Sequence, residues 1–259
     1  MLGWSINLFR IRGIQLALHS SFLLLLGYVA WAGWDENGGA GLIGNIIQVA
    51  LLFTCVVLHE LGHSFTARHF GVEVPRILLL PIGGMAEFDS IPRKPGSELL
   101  IALAGPAVNF ALVSLLLVAG ALPGFWTPWP AMPLSVLEVL QLMLVVNLIM
   151  GVFNLVPVFP MDGGRVLRAL LVGRFAYLRA TFIAATVGKF LAAAGAFVMG
   201  WWLHNPIGVV LFAFIFIAGE IEYRAVKRRE FEAEHWQRTF VRLHGHPSEP
   251  SDASFTPPR

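Results

Sequence analysis

Uncharged stretches that are long enough to cross a membrane recur along this chain of 259 residues. A membrane-spanning helix needs about 20 consecutive, mostly apolar residues. Composition agrees, since 13% of the residues are charged, compared with about 25% in soluble globular proteins. We therefore predict an all-α polytopic membrane protein with about six transmembrane helices. The predicted spans are residues 13–34, 38–58 with an extension to about residue 70, 99–122, 139–161, and two between 180 and 219 that His204, Asn205 and Pro206 separate.

The connections between these spans differ in their content of Lys and Arg, which concentrate on the cytoplasmic side of a membrane. Arg10 and Arg12 precede the first span, whereas the connections at 35–37, 123–133 and 204–206 contain neither residue type. This alternation predicts that both termini are cytoplasmic, in the inner membrane of the cell. We divide the chain into a transmembrane domain, residues 1–219, and a cytoplasmic tail, residues 220–259. We expect the tail to be partly an amphipathic helix on the inner leaflet, with a solvated, partly helical extension as the alternative, and to be disordered from residue 248.

The segment His59-Glu60-Leu61-Gly62-His63 follows an apolar approach inside the second predicted span. On a helix, two imidazoles four residues apart lie on one face, with the carboxylate beside them. This spacing is typical of a zinc site in which the Glu acts as a general base toward water at the metal. Ionisable residues inside a membrane span are costly and therefore indicate function. The alternative is a coincidental pair of core histidines, which would bury polar groups without partners.

The HExxH segment supplies two ligands, whereas catalytic zinc has three protein ligands and one open position. Asp162 is the best candidate for the third, because it lies at the inner end of the fourth predicted span, at the depth of His63. Pro157 and Pro160 end that helix, and the two glycines after Asp162 let the chain turn sharply. The alternative is an interfacial carboxylate that caps the next helix.

These two motifs together resemble a known family. HELGH in one span, with Asn154-x-x-Pro157-x-x-x-x-Asp162-Gly163 in a later one, is similar to the site-2 protease family of intramembrane zinc metalloproteases (peptidase family M50), in its bacterial and archaeal branch. Residues 9–23 also resemble that branch, and the likeness covers most of residues 1–219. It implies one zinc ion per chain, bound by His59, His63 and Asp162, with Glu60 as the base.

The resemblance also implies a function. It suggests an endopeptidase that cleaves transmembrane segments of membrane-tethered proteins, in regulated intramembrane proteolysis. The expected partners are a membrane-protein substrate with a transmembrane helix and the lipid bilayer, without nucleic acid. We expect neither a CBS domain nor a PDZ domain.

Two further segments resemble the family. Residues 80–86 are similar to its strand-rich loop that enters the membrane between helices two and three. There Gly83, Gly84 and Met85 are expected to bind substrate by pairing with an unfolded stretch of it; the alternative is a plain cytoplasmic turn. Gly105-Pro106-Ala-Val-Asn109 resembles another family motif, with Asn109 either a substrate-binding residue or a polar contact between packed helices.

Three other side chains call for an interpretation. Asn154 is predicted to be catalytic, because a neutral amide suits a substrate backbone or a developing oxyanion rather than a metal; the alternative is a polar staple between helices. Cys55 lies one turn before His59, and a fourth ligand there would close the site, so we expect a small buried thiol. His19 is expected to be a packed polar residue rather than a ligand.

Overall fold

The structure is a computed structural model that describes residues 5–88, 94–120 and 135–244. Over these residues the chain is mostly helical and contains one four-stranded sheet. A π-helical turn, Val198–Trp202, continues the fifth helix. The elements in chain order are β1 (Ser5–Ile11), β2 (Ile14–His19), α1 (Ser21–His69), β3 (Arg76–Leu80), β4 (Gly83–Ala86), α2 (Pro95–Val118), α3 (Val136–Asn154), α4 (Asp162–Val172), α5 (Tyr177–Phe197) and α6 (Pro206–His244).

Five helices in the described part of the chain are long and apolar enough to cross a membrane. The prediction of a polytopic, mostly helical membrane protein is therefore confirmed. The predicted break at residues 204–206 is also confirmed, because the π-helical turn ends at Trp202 and α6 begins at Pro206. The five spans are Ser21–His69, Pro95–Val118, Val136–Asn154, Tyr177–Trp202 and Pro206–Trp236.

Helix α1 reverses direction near its middle. Asn37 and Gly38 have non-helical dihedral angles there, and Gly38 has φ 59°, a region that glycine adopts without steric cost. The rings of Phe22 and Phe53 lie with centroids 4.5 Å apart, although an unbroken helix would separate them by about 46 Å. The α1 range therefore contains two antiparallel segments that pack against each other.

The N-terminal hairpin of β1 and β2 corrects the predicted start of the first span. Residues 14–19 were expected to be helical, but β2 pairs antiparallel with β1 and parallel with β3. The strand order is β1-β2-β3-β4, so β2 is an inner strand whose backbone groups are satisfied by pairing. An uncharged run alone does not distinguish a buried strand from a helix. The all-α prediction therefore missed this hairpin.

Two span boundaries also differ from the predictions. Helix α2 covers Pro95–Val118 rather than residues 99–122, and α3 covers Val136–Asn154 rather than 139–161. A capping box begins α3: the Ser135 hydroxyl accepts from the Glu138 N–H, and the Glu138 carboxylate accepts from the Ser135 N–H. Helix α3 ends well before Asp162 because Pro157 disfavours helical geometry in the residue before it.

The last helix crosses the boundary that we predicted between the two domains. Helix α6 continues without a break from Pro206 to His244. The segment predicted to be disordered from residue 248, and the connection at 123–133, lie outside the described residues.

The sheet packs against the second segment of α1 and positions β4. Buried side chains of two strands, β2 and β3, form one core cluster with Phe53 and Leu61 of α1. Burying apolar area of this kind contributes about 25 cal/mol for each Å² removed from water. Apolar side chains on the outer faces of the helices would find a comparable apolar surrounding in lipid. Strand β4, at one end of the strand order, therefore lies alongside the helix that carries Glu60. The strand side chains in this cluster are Ile14, Leu16, Ile77 and Leu79.

Candidate metal centre

Three side chains from two distant parts of the sequence converge inside the protein. His59 Nε2 and His63 Nε2 are 3.1 Å apart, and they lie 3.2 Å and 3.1 Å from Asp162 Oδ2. All three residues are buried, with exposed fractions of 4%, 6% and 9%. Within the described residues, they are the group of His, Cys, Asp and Glu side chains whose ligand atoms could hold a metal ion.

The local structure explains this convergence. His59 and His63 lie one turn apart on the second segment of α1 and therefore share a face. Asp162 is the first residue of α4, and the N-cap position belongs to Met161. The carboxylate of Asp162 contacts the two imidazoles, so the alternative of a plain helix cap does not describe this residue.

The tautomer of His63 is fixed by a backbone carbonyl. The His63 Nδ1–H donates to the Ile101 carbonyl oxygen at 2.7 Å. A carbonyl only accepts hydrogen bonds, so the ring proton is on Nδ1. The Nε2 lone pair therefore faces His59 and Asp162.

His59 also carries its ring proton on Nδ1, but here a side-chain amide fixes the tautomer. The His59 Nδ1–H donates to Asn109 Oδ1 at 2.5 Å, and the Asn109 Nδ2 donates to Asn147 Oδ1 at 2.8 Å. Both amides are fully buried. A second group that orients a histidine through its other ring nitrogen is a common feature of metal sites.

This donor set fits zinc. Two Nε2 lone pairs and a carboxylate oxygen face one another, an arrangement of acceptors that a cation between them would stabilise. Tetrahedral zinc with bonds of about 2.0–2.1 Å places its ligand atoms about 3.3 Å from one another. The observed separations of 3.1 to 3.2 Å are close to this value.

Helix α2 forms one wall of the site at Gly105. A β-carbon added to Gly105 would lie 2.7 Å from His59 Cε1 and closer still to His63 Nε2. Real β-carbons do not approach other atoms so closely, so the imidazoles pack directly on the α2 backbone. The sequence motif that contains Gly105 thus serves the metal site by leaving space beside it.

Glu60 lies against the sheet at β4. A β-carbon added to Gly84 of β4 would lie 2.6 Å from Glu60 Cγ and 3.1 Å from Val56 Cγ1. Glu60 is partly exposed, in contrast to the three buried cluster residues. Of the predicted substrate-binding residues, Gly83, Gly84 and Met85 all belong to β4, which the structure therefore brings to the side of Glu60.

The remaining predicted residues are Asn109 and Asn154. Asn109 accepts from the Nδ1–H of His59 and donates to Asn147, so both ends of its amide are bonded. Its predicted contact with substrate stays a prediction. Asn154 is the last residue of α3 and is partly buried; its catalytic role likewise stays a prediction.

Neither Cys55 nor His19 joins the cluster in the described structure. Cys55 is a buried free thiol, as expected, and its Sγ accepts from the Asn147 Nδ2 at 3.1 Å. His19 ends β2 rather than lying in a helix, and its Nδ1 accepts from the Ser21 N–H at 3.2 Å.

Sequence reasoning missed Asn147 and the Ile101 carbonyl. A backbone acceptor has no sequence signal, since every residue carries one. Asn147 did have a signal: it is a lone amide in the apolar run from Leu142 to Met150. Polar residues in such runs often bond across helices, but the pattern does not say which helix provides the partner.

Comparisons with known proteins find similar zinc metalloproteases. The profile of Peptidase family M50 matches residues 47–127 and 129–195. A zinc metalloprotease of Methanocaldococcus jannaschii is 39% identical over 226 residues, which are 87% of this chain and 62% of the relative. A solved structure of a site-2 protease from Methanocaldococcus jannaschii has a TM-score of 0.60 and 40% identity, covering 85% of this chain and 95% of that one. The chain spans less than two thirds of the length of the curated relatives it matches.

Proposed function

Because the chain belongs to peptidase family M50, we propose that it is an intramembrane zinc endopeptidase, which hydrolyses peptide bonds within transmembrane segments. The convergence of His59, His63 and Asp162 between apolar helices carries this proposal. These three residues would hold one zinc ion per chain. When bound, zinc supplies Lewis acidity that polarises a peptide carbonyl and makes water more acidic.

Glu60 is the proposed general base. Its place next to His59 in sequence and its partial exposure support this role, because a base must reach both the site and the incoming water. Its carboxylate accepts a proton from the attacking water and passes it to the leaving amine. Asn154 is the proposed donor to the developing oxyanion, which its neutral amide can stabilise without binding metal.

Strand β4 is the proposed guide for the substrate. A peptide bond in an intact helix is hard to attack because the backbone groups are hydrogen-bonded within the helix. A stretch of substrate that unwinds and pairs with an edge strand presents its backbone in extended form. The contact between Gly84 and Glu60 supports β4 as this edge, since a strand added there would lie near the base. Gly83 and Met85 would flank the same stretch.

The proposed topology has six crossings, with the two segments of α1 counted separately. The reversal at Asn37 and Gly38 supports this count, and the alternation of Lys and Arg supports cytoplasmic termini in an inner membrane. The turn between β3 and β4 exposes Ile82 at 83%, which supports a loop that re-enters the membrane. The transmembrane domain is then residues 1–219 and the cytoplasmic tail is 220–259.

The proposed substrates are membrane-tethered proteins that are cleaved in regulated intramembrane proteolysis. The proposal rests on the family resemblance together with a site enclosed by helices of membrane-spanning length. A soluble peptide would reach the buried ligands less readily than a segment that arrives through the bilayer.

The decisive experiment combines metal analysis with cleavage of a model single-span substrate. We expect wild-type protein to contain one zinc ion per chain and to cut the substrate within its membrane span. Glu60→Gln should keep zinc and lose cleavage, because an amide cannot accept the proton. Glu73→Gln, the same chemical change at an exposed position, is the matched control and should cleave normally. Cleavage at the wild-type rate by zinc-loaded Glu60→Gln would contradict the proposal.

A further inference from the structure

A chain of hydrogen bonds connects His59 to a backbone carbonyl of α3. It passes through the side chains of Asn109 in α2 and Asn147 in α3, both with an exposed fraction of 0%. The Asn147 Nδ2 donates to the Met143 carbonyl oxygen at 2.8 Å, and the Asn147 Oδ1 accepts from the Asn109 Nδ2 at 2.8 Å.

The hydrogen bonds of this series can run in only one direction from donor to acceptor. The Met143 carbonyl can only accept, so the Asn147 amide must turn its Nδ2 toward it. The Asn147 Oδ1 then faces Asn109, and this oxygen must receive the Asn109 Nδ2. Asn109 consequently turns its own Oδ1 toward His59, and the imidazole must donate through Nδ1–H.

We propose that Asn147 is a positioning residue that fixes the ring proton of His59 on Nδ1, acting through Asn109. It thereby keeps His59 Nε2 free to bind metal. The proposal rests on the metal site of the proposed function. It does not depend on proteolysis, because the ring proton can be located without metal or substrate.

Asn109 alone is not sufficient for this task. An amide that turns by 180° exchanges its acceptor for its donor at nearly the same place. A turned Asn109 would present Nδ2 to His59, and the ring proton would then move to Nε2, where it blocks a metal ligand. The bond from Asn109 to Asn147 opposes this turn, because it would bring the two acceptor oxygens together.

The tautomer of His63 does not depend on a side-chain amide. His63 donates directly to the Ile101 carbonyl, which belongs to the helix backbone and cannot exchange a donor for an acceptor. A change at Asn147 should therefore affect His59 and leave His63 as it was. This difference gives the test an internal control.

The test is ¹⁵N NMR of histidine-labelled, metal-free protein at a pH at which both rings are neutral. In wild-type protein we expect His59 to be the Nδ1–H tautomer. Asn147→Leu keeps the approximate shape but removes the amide, and His59 should become a mixture of tautomers. His63 should not change. The zinc affinity, measured by competition with a chelator, should fall in proportion to the loss of the Nδ1–H tautomer, about twofold for an even mixture.

Cys55→Ala is the matched control variant. It removes another hydrogen-bond partner of Asn147 and leaves the bonds to Met143 and Asn109 in place. Both ring tautomers and the zinc affinity should therefore stay as in wild type. A larger loss in Cys55→Ala than in Asn147→Leu would overturn the proposal, because it would trace the effect to packing around the thiol.

Two other results would overturn the proposal. One is folded Asn147→Leu protein with an unchanged His59 tautomer and unchanged zinc affinity. The other is an Nε2–H tautomer of His59 in wild-type protein, which decides the matter even if the variant fails to fold. Failure of the proteolytic function would appear separately, as correct tautomers and zinc binding without cleavage.

Discussion

Arg168 of α4 should be a large single contributor to stability. Its Nε donates to Glu98 Oε1 of α2 at 2.7 Å, and its Nη1 donates to Glu222 Oε1 of α6 at 2.7 Å. Arg168 and Glu98 are buried, with side-chain exposures of 1% and 2%, whereas the Glu222 side chain is 34% exposed. The same helix begins with Asp162, so this network ties the proposed third metal ligand to two other helices.

We expect Arg168→Met to destabilise the fold by about 3–5 kcal/mol, because Glu98 would keep a buried charge without its partner. Glu222 should add little, since water can solvate it. The guanidinium also lies 5.2 Å from the centroid of the Phe159 ring, a contact that Met preserves in part. For a protein of this size, 3–5 kcal/mol corresponds to a fall in Tm of about 6–20 °C.

The assay is thermal unfolding of zinc-saturated protein in detergent. Adding Glu98→Gln to Arg168→Met should recover much of the loss, because the second change removes the uncompensated charge. Arg224→Met, which breaks the exposed pair with Glu220, is the matched control and should change Tm by a few degrees at most. A Tm of Arg168→Met within 3 °C of wild type, or a double variant as unstable as the single one, would refute the argument.

Three further variants test the site. Gly105→Ala should abolish zinc binding in elemental analysis because its β-carbon overlaps His63, whereas Gly96→Ala, with open space around it on the same helix, should bind zinc normally. Gly84→Ala should keep zinc but lower cleavage at least tenfold by displacing Glu60; unchanged cleavage would argue against contact between β4 and the base. Asn154→Ala should keep zinc and Tm but lose at least tenfold in turnover, about 1.4 kcal/mol of barrier; a lower Tm with normal turnover would make Asn154 structural.

The metal cluster was predictable because local geometry and topology both point to it. The helical repeat alone puts positions 59 and 63 on one face. Asp162 needed a second argument, namely that alternating crossings return the chain to the depth of His63. Its carboxylate does contact both imidazoles in the structure.

The hairpin and the amide chain were harder to predict because both depend on distant pairing. Strand β2 is held between β1 and β3, and β3 comes from the far side of the 49-residue α1. Asn147 lies on a helix that is apolar all round, so the pattern does not reveal which face meets α2. Only the packed helices decide that Asn147 reaches Asn109.

The sequence distance between His63 and Asp162 has a consequence for biosynthesis. The two histidines enter the membrane with α1, whereas the carboxylate that contacts them is made 99 residues later. A ribosome that adds about 5–20 residues per second needs roughly 5–20 seconds for that interval. During this time the nascent chain lacks the proposed third ligand, so the complete site can form only after Asp162 has been synthesised.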